Sequence, residues 1–583
     1  MPNAPVKRPR RSTGNAAVVL LGDSRMMEFT QMPETMFAAL GHFGMPYRLF
    51  DLARRRPTSR DLAGAAAIII GQENLGLSID AAEQGLILSA VKDGTGLVNF
   101  DCNLANYDDA FTDALGLAAP GKRFEIDGVS AIGITGNEHT IANQQENTAH
   151  HRLHVPLAGV PTRAKGTETT VLAECESGAP AVIATTIGRG RAVQWLVSPR
   201  LWTLRHFGHA HGLDDLFWRG IVWTARKPFA MLAMPPFVRL RFDDCNGLWR
   251  GPEDLAFIDV LNRHGHTPNI CLCMKAVTGD GWGAMKRLYD EGRAEFAPHI
   301  WKGGVSLFYG DEDGEYSTET FRELISETKT LFAEAGITPS KILSDHNHEC
   351  SSRVLPFLAE LGIEYKMNIM LPGETRDSVH IDWRPLPYGS MSYAFDTMPG
   401  PYPLFAVFNH HPHFGYSHSY IARNRFVSNR DGGPGPYKWD FLNGLTKSTL
   451  GANDLNAMAR RMADHTRLGV NSLFFGGSIS HSHFTTALTP GEWDEVLVRY
   501  EALTNDMETI NAGYDHIAAY ARSRFHTHLD ASTRRGNDMA IKLAGEARVP
   551  LELSVYHDRD NGIERQFKAV KPFSGRSETL FTV

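Results

Sequence analysis

The stretch VRLRFDDCNG, Val238 to Gly247, decides the fold. Val238, Leu240 and Phe242 alternate with Arg239 and Arg241, the period-two pattern of a β-strand with two unlike faces. The strand then runs into Asp243 and Asp244 side by side, followed by Asn246-Gly247, a turn-forming pair. Adjacent carboxylates there either open a turn or are delivered to a site. In α/β folds such sites lie at the carboxyl ends of parallel strands.

The residues that follow choose between these readings. Six more short apolar runs come after it: PNICLCM (268–274), AEFAPH (294–299), KILSDH (341–346), YKMNIM (365–370), PLFAVFN (403–409) and NSLFFGG (471–477). Between them lie amphipathic stretches such as GPEDLAFIDVLNRHG (251–265), GWGAMKRLYDEG (281–292) and STETFRELISETKTLFAEAG (317–336). Strands alternating with helices predict a deformed (β/α)7 barrel, closed or nearly so. Five of the seven runs lead into Asp or His at their carboxyl ends. These are Asp243-Asp244, then His299, then Asp345 with His346 and His348, then Asn409 with His411 and His413, then His481 and His483. That coincidence makes a site at the barrel rim the expectation and the turn the minor reading. His346/His348, His411/His413 and His481/His483 are each spaced by two, so in extended backbone each pair aims the same way. Imidazoles with carboxylates, and no thiolate cluster of finger spacing, fit a catalytic divalent metal, zinc first. One aspartate would bind the metal and its neighbour would take a proton from the attacking water, while a histidine from another strand protonates the leaving group.

The first half reads differently. Residues 15–228 alternate strands such as AAVVLLGDS, YRLFDL and AAAIIIG with helices such as AAEQGLILSAVKDG, which predicts a doubly wound α/β domain. Gly22-Asp23-Ser24 lacks a later Asp-x-x-His and reads as an N-cap turn. Cys102 lacks the glycines of a nucleophile elbow and reads as a buried structural residue. Residues 1–14, basic and proline-rich, read as a disordered tail, and 524–583 as a small β-rich accessory domain after a barrel spanning 237–523.

Composition limits the rest. The 583 residues are 42% hydrophobic and 21% charged, with a net charge of −7, which speaks against a nucleic-acid or membrane-surface partner. Six irregularly spaced cysteines give no disulfide framework and point to a reducing cytoplasm. Cys271 and Cys273 read as small buried strand residues. FYGDEDGEY lacks full calcium-loop spacing and reads as an acidic turn.

LRFDDCNG and LYDEGRAEFAPHIWKGG resemble the first two motifs of the polysaccharide deacetylase family, the NodB-homology domain, over residues 237–500. The resemblance implies a deformed barrel, Asp243 as base, Asp244 and His299 as metal ligands, and His481 or His483 as acid. Gly303 stands where the family has a second metal-binding histidine, so His346 or His348 would complete the shell. The family's Arg-Pro-Pro-Tyr motif is absent from its usual strand, and RPLPYG (384–389) occurs one strand later. SAVKDGTGLVNFD and GRGRAVQWLVSPRLW with LFWRGIVWTARK resemble the noncatalytic class I glutamine amidotransferase-like domains of carbohydrate enzymes, and a homo-oligomer through that domain is kept open.

The expected function is therefore metal-dependent deacetylation of a sugar or oligosaccharide. A glycoside hydrolase using Asp243 and Asp345 as paired carboxylates is the alternative, and a carbohydrate-binding protein with a degenerate site the second alternative. Trp249, Trp301, Tyr416 and Trp439 are candidate sugar-stacking rings. His411 and His413 are placed with them as substrate-binding residues. Arg423 and Arg425, in the loop RNRFVSNRDGGPGPYKWD, are candidates for anion recognition.

Overall fold

A computed structural model describes residues 17–118, 128–146, 149–203, 205–245, 255–302, 305–306, 309–310, 314–343, 355–366, 405–406, 437–440, 444–447, 452–481, 488–535, 538–559 and 562–582. The chain forms two compact units. One comprises Met1–Met234, Asn471–Leu473 and Ser523–Val583; the other comprises Pro235–Val470 and Phe474–Arg522.

The first unit is built on one nine-stranded sheet. Its strands are β1 (Val18–Gly22), β2 (Tyr47–Asp51), β3 (Ala67–Ile70), β4 (Gly96–Asn99), β5 (Val129–Ile134), β6 (His150–Leu157), β7 (Thr169–Cys175), β8 (Pro180–Ile187) and β9 (Gly190–Trp195), in the order β2-β1-β3-β4-β9-β8-β7-β5-β6. From β2 to β9 the pairing is parallel; beyond β9 it is antiparallel. Parallel strands covered on both faces read as continuous apolar runs, and β1 and β3 are buried along their whole length. The helix Ala81–Lys92 covers one face with Ile87, Leu88 and Val91 against Ile68, Ile70 and Leu97. A capping box of Asp80 and Glu83 starts it, and Gly94 at φ 100° follows its end. On the other face the helix Asp214–Thr224 carries Phe217, whose ring meets Phe43, Phe100 and Trp202. The sheet is thus doubly wound, as the alternation predicts.

The second unit carries seven barrel strands, six of them where the sequence places them; the seventh is Gly476–His481, displaced from the expected 471–477, whose first three residues belong to the first unit. After β10 (Phe229–Met231), which belongs to the first unit, come β11 (Phe237–Cys245), β12 (Asn269–Cys273) and β13 (Glu295–Lys302). Short pieces β14 (Val305–Ser306), β15 (Tyr309–Gly310) and β16 (Gly314–Glu315) form hairpins after β13. Then follow β17 (Ile342–Leu343), β18 (Tyr365–Lys366), β19 (Phe405–Ala406), the hairpin of β20 (Tyr437–Asp440) and β21 (Gly444–Lys447), β22 (Gly476–His481) and β23 (Ile510–Asn511). The parallel order β22-β11-β12-β13 is one arc and β17-β18-β19 a second. A backbone hydrogen bond of 2.7 Å from Ser340 N to Phe296 O joins them. Numbered among themselves, the seven strands run 7-1-2-3-4-5-6, the order of a barrel wound once around.

Alternation sorts these strands into two faces. Leu240 and Phe242 of β11, Ile270 and Leu272 of β12 and Phe296 of β13 pack in one core with the helices Ala256–Arg263, Gly279–Asp290, Ala452–Asn471 and Pro490–Thr504. The opposite face holds Arg239, Arg241, Asn269, Cys271, Cys273, Glu295 and His299. At the amino ends of the strands this polar face is closed off by ion pairs and hydrogen bonds. Arg239 pairs with Glu295 at 2.6 Å, and Glu295 also accepts from Tyr514 N at 3.1 Å. Asp515 accepts from Ser340 Oγ at 2.6 Å, Lys341 N at 2.8 Å and Ile342 N at 3.2 Å, anchoring the start of β17.

Five long antiparallel strands end the chain: β24 (Thr527–Arg535), β25 (Asp538–Ala547), β26 (Leu551–Arg559), β27 (Gly562–Val570) and β28 (Phe573–Thr582). They form the sheets β24-β25-β28 and β10-β26-β27, and cluster with the first unit. No helix among the described residues is long and apolar enough to cross a membrane.

Candidate functional site

The carboxyl ends of β11, β13 and β22 bring three of the singled-out positions onto one parallel sheet. On β11 and β22 the registers run Arg239 to Gly477, Arg241 to Ile479 and Asp243 to His481. Asp243 and His481 are therefore direct neighbours across two strands. Neighbouring strands lie about 4.8 Å apart.

β11 and β13, the strands on either side of β12, are both irregular against it at these positions. Between β11 and β12 the register passes from Phe242 opposite Ile270 to Cys245 opposite Leu272. Asp243 and Asp244 thus stand together opposite one residue, Cys271. This is a β-bulge, which breaks strict alternation and is over-represented beside active sites. Strict alternation would send two adjacent aspartates to opposite faces. The bulge interrupts that alternation at Asp243-Asp244. Between β12 and β13 the register passes from Leu272 opposite Pro298 to Cys273 opposite Ile300, so the extra residue is His299. His299 is buried, on the face of Glu295 and Ala297, and is not without a partner.

The bulge at His299 also explains a correction. Trp301 was expected to stack on sugar. It is 6% exposed and packs in the core on the helix side, with the Lys275 ammonium 4.9 Å from its ring centre. One extra residue shifts the alternation, so Trp301 takes the face of Phe296 instead of that of His299.

Cys271 and Cys273 are buried on β12 as expected, the Cys271 thiol donating to Asn269 Oδ1 at 3.4 Å. Asp244 lies on β11 and Trp439 on β20. Asp345, His346, His348, His411, His413, Tyr416, Arg423, Arg425, His483 and Trp249 lie outside the described residues, as does the tail 1–14. Among the described residues no group of three or more His, Cys, Asp or Glu is placed to hold a metal ion. The donor types at the rim, a carboxylate on β11 and an imidazole on β13, match those of a borderline divalent cation. The polar face beneath the rim was not singled out as a network from the sequence. Its signal was the pair of arginines in VRLRFD.

The other candidates, in the first unit, do not assemble a site. The Ser24 hydroxyl donates to Asp51 Oδ2 at 2.8 Å, and no side-chain cap hydrogen bond marks the helix that follows, so Gly22-Asp23-Ser24 is a turn held by Asp51 rather than an N-cap. Cys102 is buried, and burial with the neighbouring Asp101 pushes its thiol pKa well up, away from nucleophilic use. The Asp101 carboxylate is occupied by Asn74 N, Gly76 N and Asn103 N, each at 3.0 Å, and by the Tyr107 hydroxyl at 2.9 Å.

No protein-family model matches the chain. No curated protein matches it either. Among solved structures it is similar to the cytoplasmic protein STM1381 from Salmonella typhimurium LT2, at 13% identity over 36% of this chain and 100% of that one, with a TM-score of 0.28. It is also similar to a ThuA-like protein from Bacteroides uniformis ATCC 8492, at 14% identity over 39% and 97% of the two chains, with a TM-score of 0.28. A third similarity, to the exo-β-1,4-mannosidase Op5Man5 from Opitutaceae bacterium strain TAV5, has 14% identity over 36% of each chain and a TM-score of 0.25.

Proposed function

We propose that the chain is a metal-assisted carbohydrate hydrolase that removes acetyl groups from a sugar or oligosaccharide. The observation that supports this most is the register pairing of Asp243 with His481, flanked by the bulges at Asp243-Asp244 and at His299. Amide or ester hydrolysis needs a base on the attacking water and an acid at the leaving atom, both within reach of one carbonyl. Asp243 takes the proton of the water. His481, on the next strand, gives a proton to the departing amine or alkoxide. Asp244 and His299, with His346 or His348, would hold the divalent ion. When bound, it polarises the acetyl carbonyl as a Lewis acid.

The test is acetate release from an acetylated oligosaccharide by the zinc-loaded chain. Asp243→Asn and His481→Ala should each lower kcat by about 100-fold or more with metal content unchanged. Wild-type rates in either variant would refute the role given to that residue.

A further inference from the structure

The strand β28 runs for ten residues, Phe573–Thr582, in unbroken antiparallel register with β25 from Ala547–Phe573 to Asp538–Thr582. Its other edge carries no strand among the described residues. Soluble proteins usually blunt such an edge with a proline, a bulge or shortness. β28 has no proline, its ladder has no bulge, and it is as long as β25. Its side chains stand out from the fold: Ser574, Arg576, Glu578 and Leu580 are exposed, Leu580 at 59%. The β25 residues Ile541 and Leu543 beside it are buried.

We infer that β28 pairs with β28 of a second copy of this chain, antiparallel about a two-fold axis at Ser577. The choice of occupant rests on charge complementarity. In an antiparallel pair, hydrogen-bonded and non-hydrogen-bonded positions alternate. A two-fold axis must therefore pass through a residue paired with its own copy. An axis at Arg576 would oppose two arginines, and one at Glu578 two glutamates; like charges directly opposite destabilise a ladder. An axis at Ser577 instead sets Arg576 opposite Glu578 of the other copy, twice, on one face. The contact is isologous and closes at two copies. Arg576 has no ion pair among the described residues, so it is available for this partner. Within its own chain Glu578 stands 3.8 Å from Lys542, an exposed pair. The surface lies on the C-terminal strands and is independent of the rim and its chemistry.

Sedimentation velocity on the whole chain at micromolar concentration tests this. Wild type is expected to be dimeric. Arg576→Glu and Glu578→Arg should each raise the dimer dissociation constant by about tenfold or more. The double variant Arg576→Glu/Glu578→Arg restores opposite charges in the same register and should restore the dimer. Oxidised Ser577→Cys should cross-link to its own copy, whereas Ser574→Cys should not. Circular dichroism of each variant confirms that these surface changes leave the fold intact. A monomeric wild type, a dimer untouched by both single reversals, or a double variant as weak as the singles would overturn the inference.

Discussion

Replacing Glu295 with glutamine removes the ion-pair partner of the buried Arg239 guanidinium. The Arg239 side chain is 4% exposed and that of Glu295 29%, with 2.6 Å between Nη2 and Oε2. Burial already holds the Arg239 guanidinium below its ordinary pKa, with Glu295 pulling the other way. Breaking a buried pair from one side costs about 3–5 kcal/mol. Water reaches the glutamate, and glutamine keeps an acceptor for Tyr514 N, so about 2–4 kcal/mol is expected here. Urea unfolding followed by tryptophan fluorescence reads it, because Trp493 lies in the core of the same unit. At an m-value of about 2–3 kcal/mol/M the midpoint should fall by about 1 M. Arg239→Met alone should cost a similar amount, since it strands the glutamate. The pair Arg239→Met/Glu295→Gln should recover most of the loss, because two neutral groups replace two charges. Metal content should stay constant throughout. An unmoved midpoint in Glu295→Gln, or strict additivity in the double variant, would refute the view that the pair closes the polar face.

Asp515→Ala removes the acceptor of Ser340 Oγ, Lys341 N and Ile342 N and should cost about 2–3 kcal/mol, with amide exchange at Ile342 rising most. Asp215 is fully buried, and burial pushes its carboxyl pKa up to about 7. A folded pKa above the unfolded one means stability is lost as pH rises from about 4 to about 7. Asp215→Asn should remove that slope, checked by urea midpoints across pH, with the nearby Arg219 losing a counter-charge in the same variant. Asp244→Ala and His299→Ala should each lower zinc stoichiometry after dialysis, by mass spectrometry of the metal, while Trp301→Ala should chiefly lower stability, by about 3–5 kcal/mol.

Much of the architecture was legible because apolar period is local. Six of the seven expected barrel strands fall on β11, β12, β13, β17, β18 and β19; the seventh, NSLFFGG, is mostly helix end and turn, and β22 begins at its last two residues. His481 ends β22, while Asp243 and His299 lie two and three residues before the ends of β11 and β13. What was hidden depends on partners distant in sequence. Whether Asp243-Asp244 and His299 sit in regular or bulged strand is set by β12, so VRLRFDDCNG alone could not show that both aspartates stand opposite Cys271. Trp301 was misplaced for the same reason, since one unseen extra residue moves a side chain to the other face. Arg239 announced itself as a charge on a buried strand, but its partner lies 56 positions on, at Glu295. The antiparallel pair β5 and β6 escaped the sequence pattern, because HHRLHVPL is half-exposed and carries few apolar residues.

Incubation of the purified, metal-analysed chain with acetylated and plain oligosaccharides, read by mass spectrometry, tests the assignment of the rim most directly. The expected result is loss of acetyl mass with chain length retained, dependent on bound metal and on Asp243. Shortened chains with every acetyl group kept would contradict it.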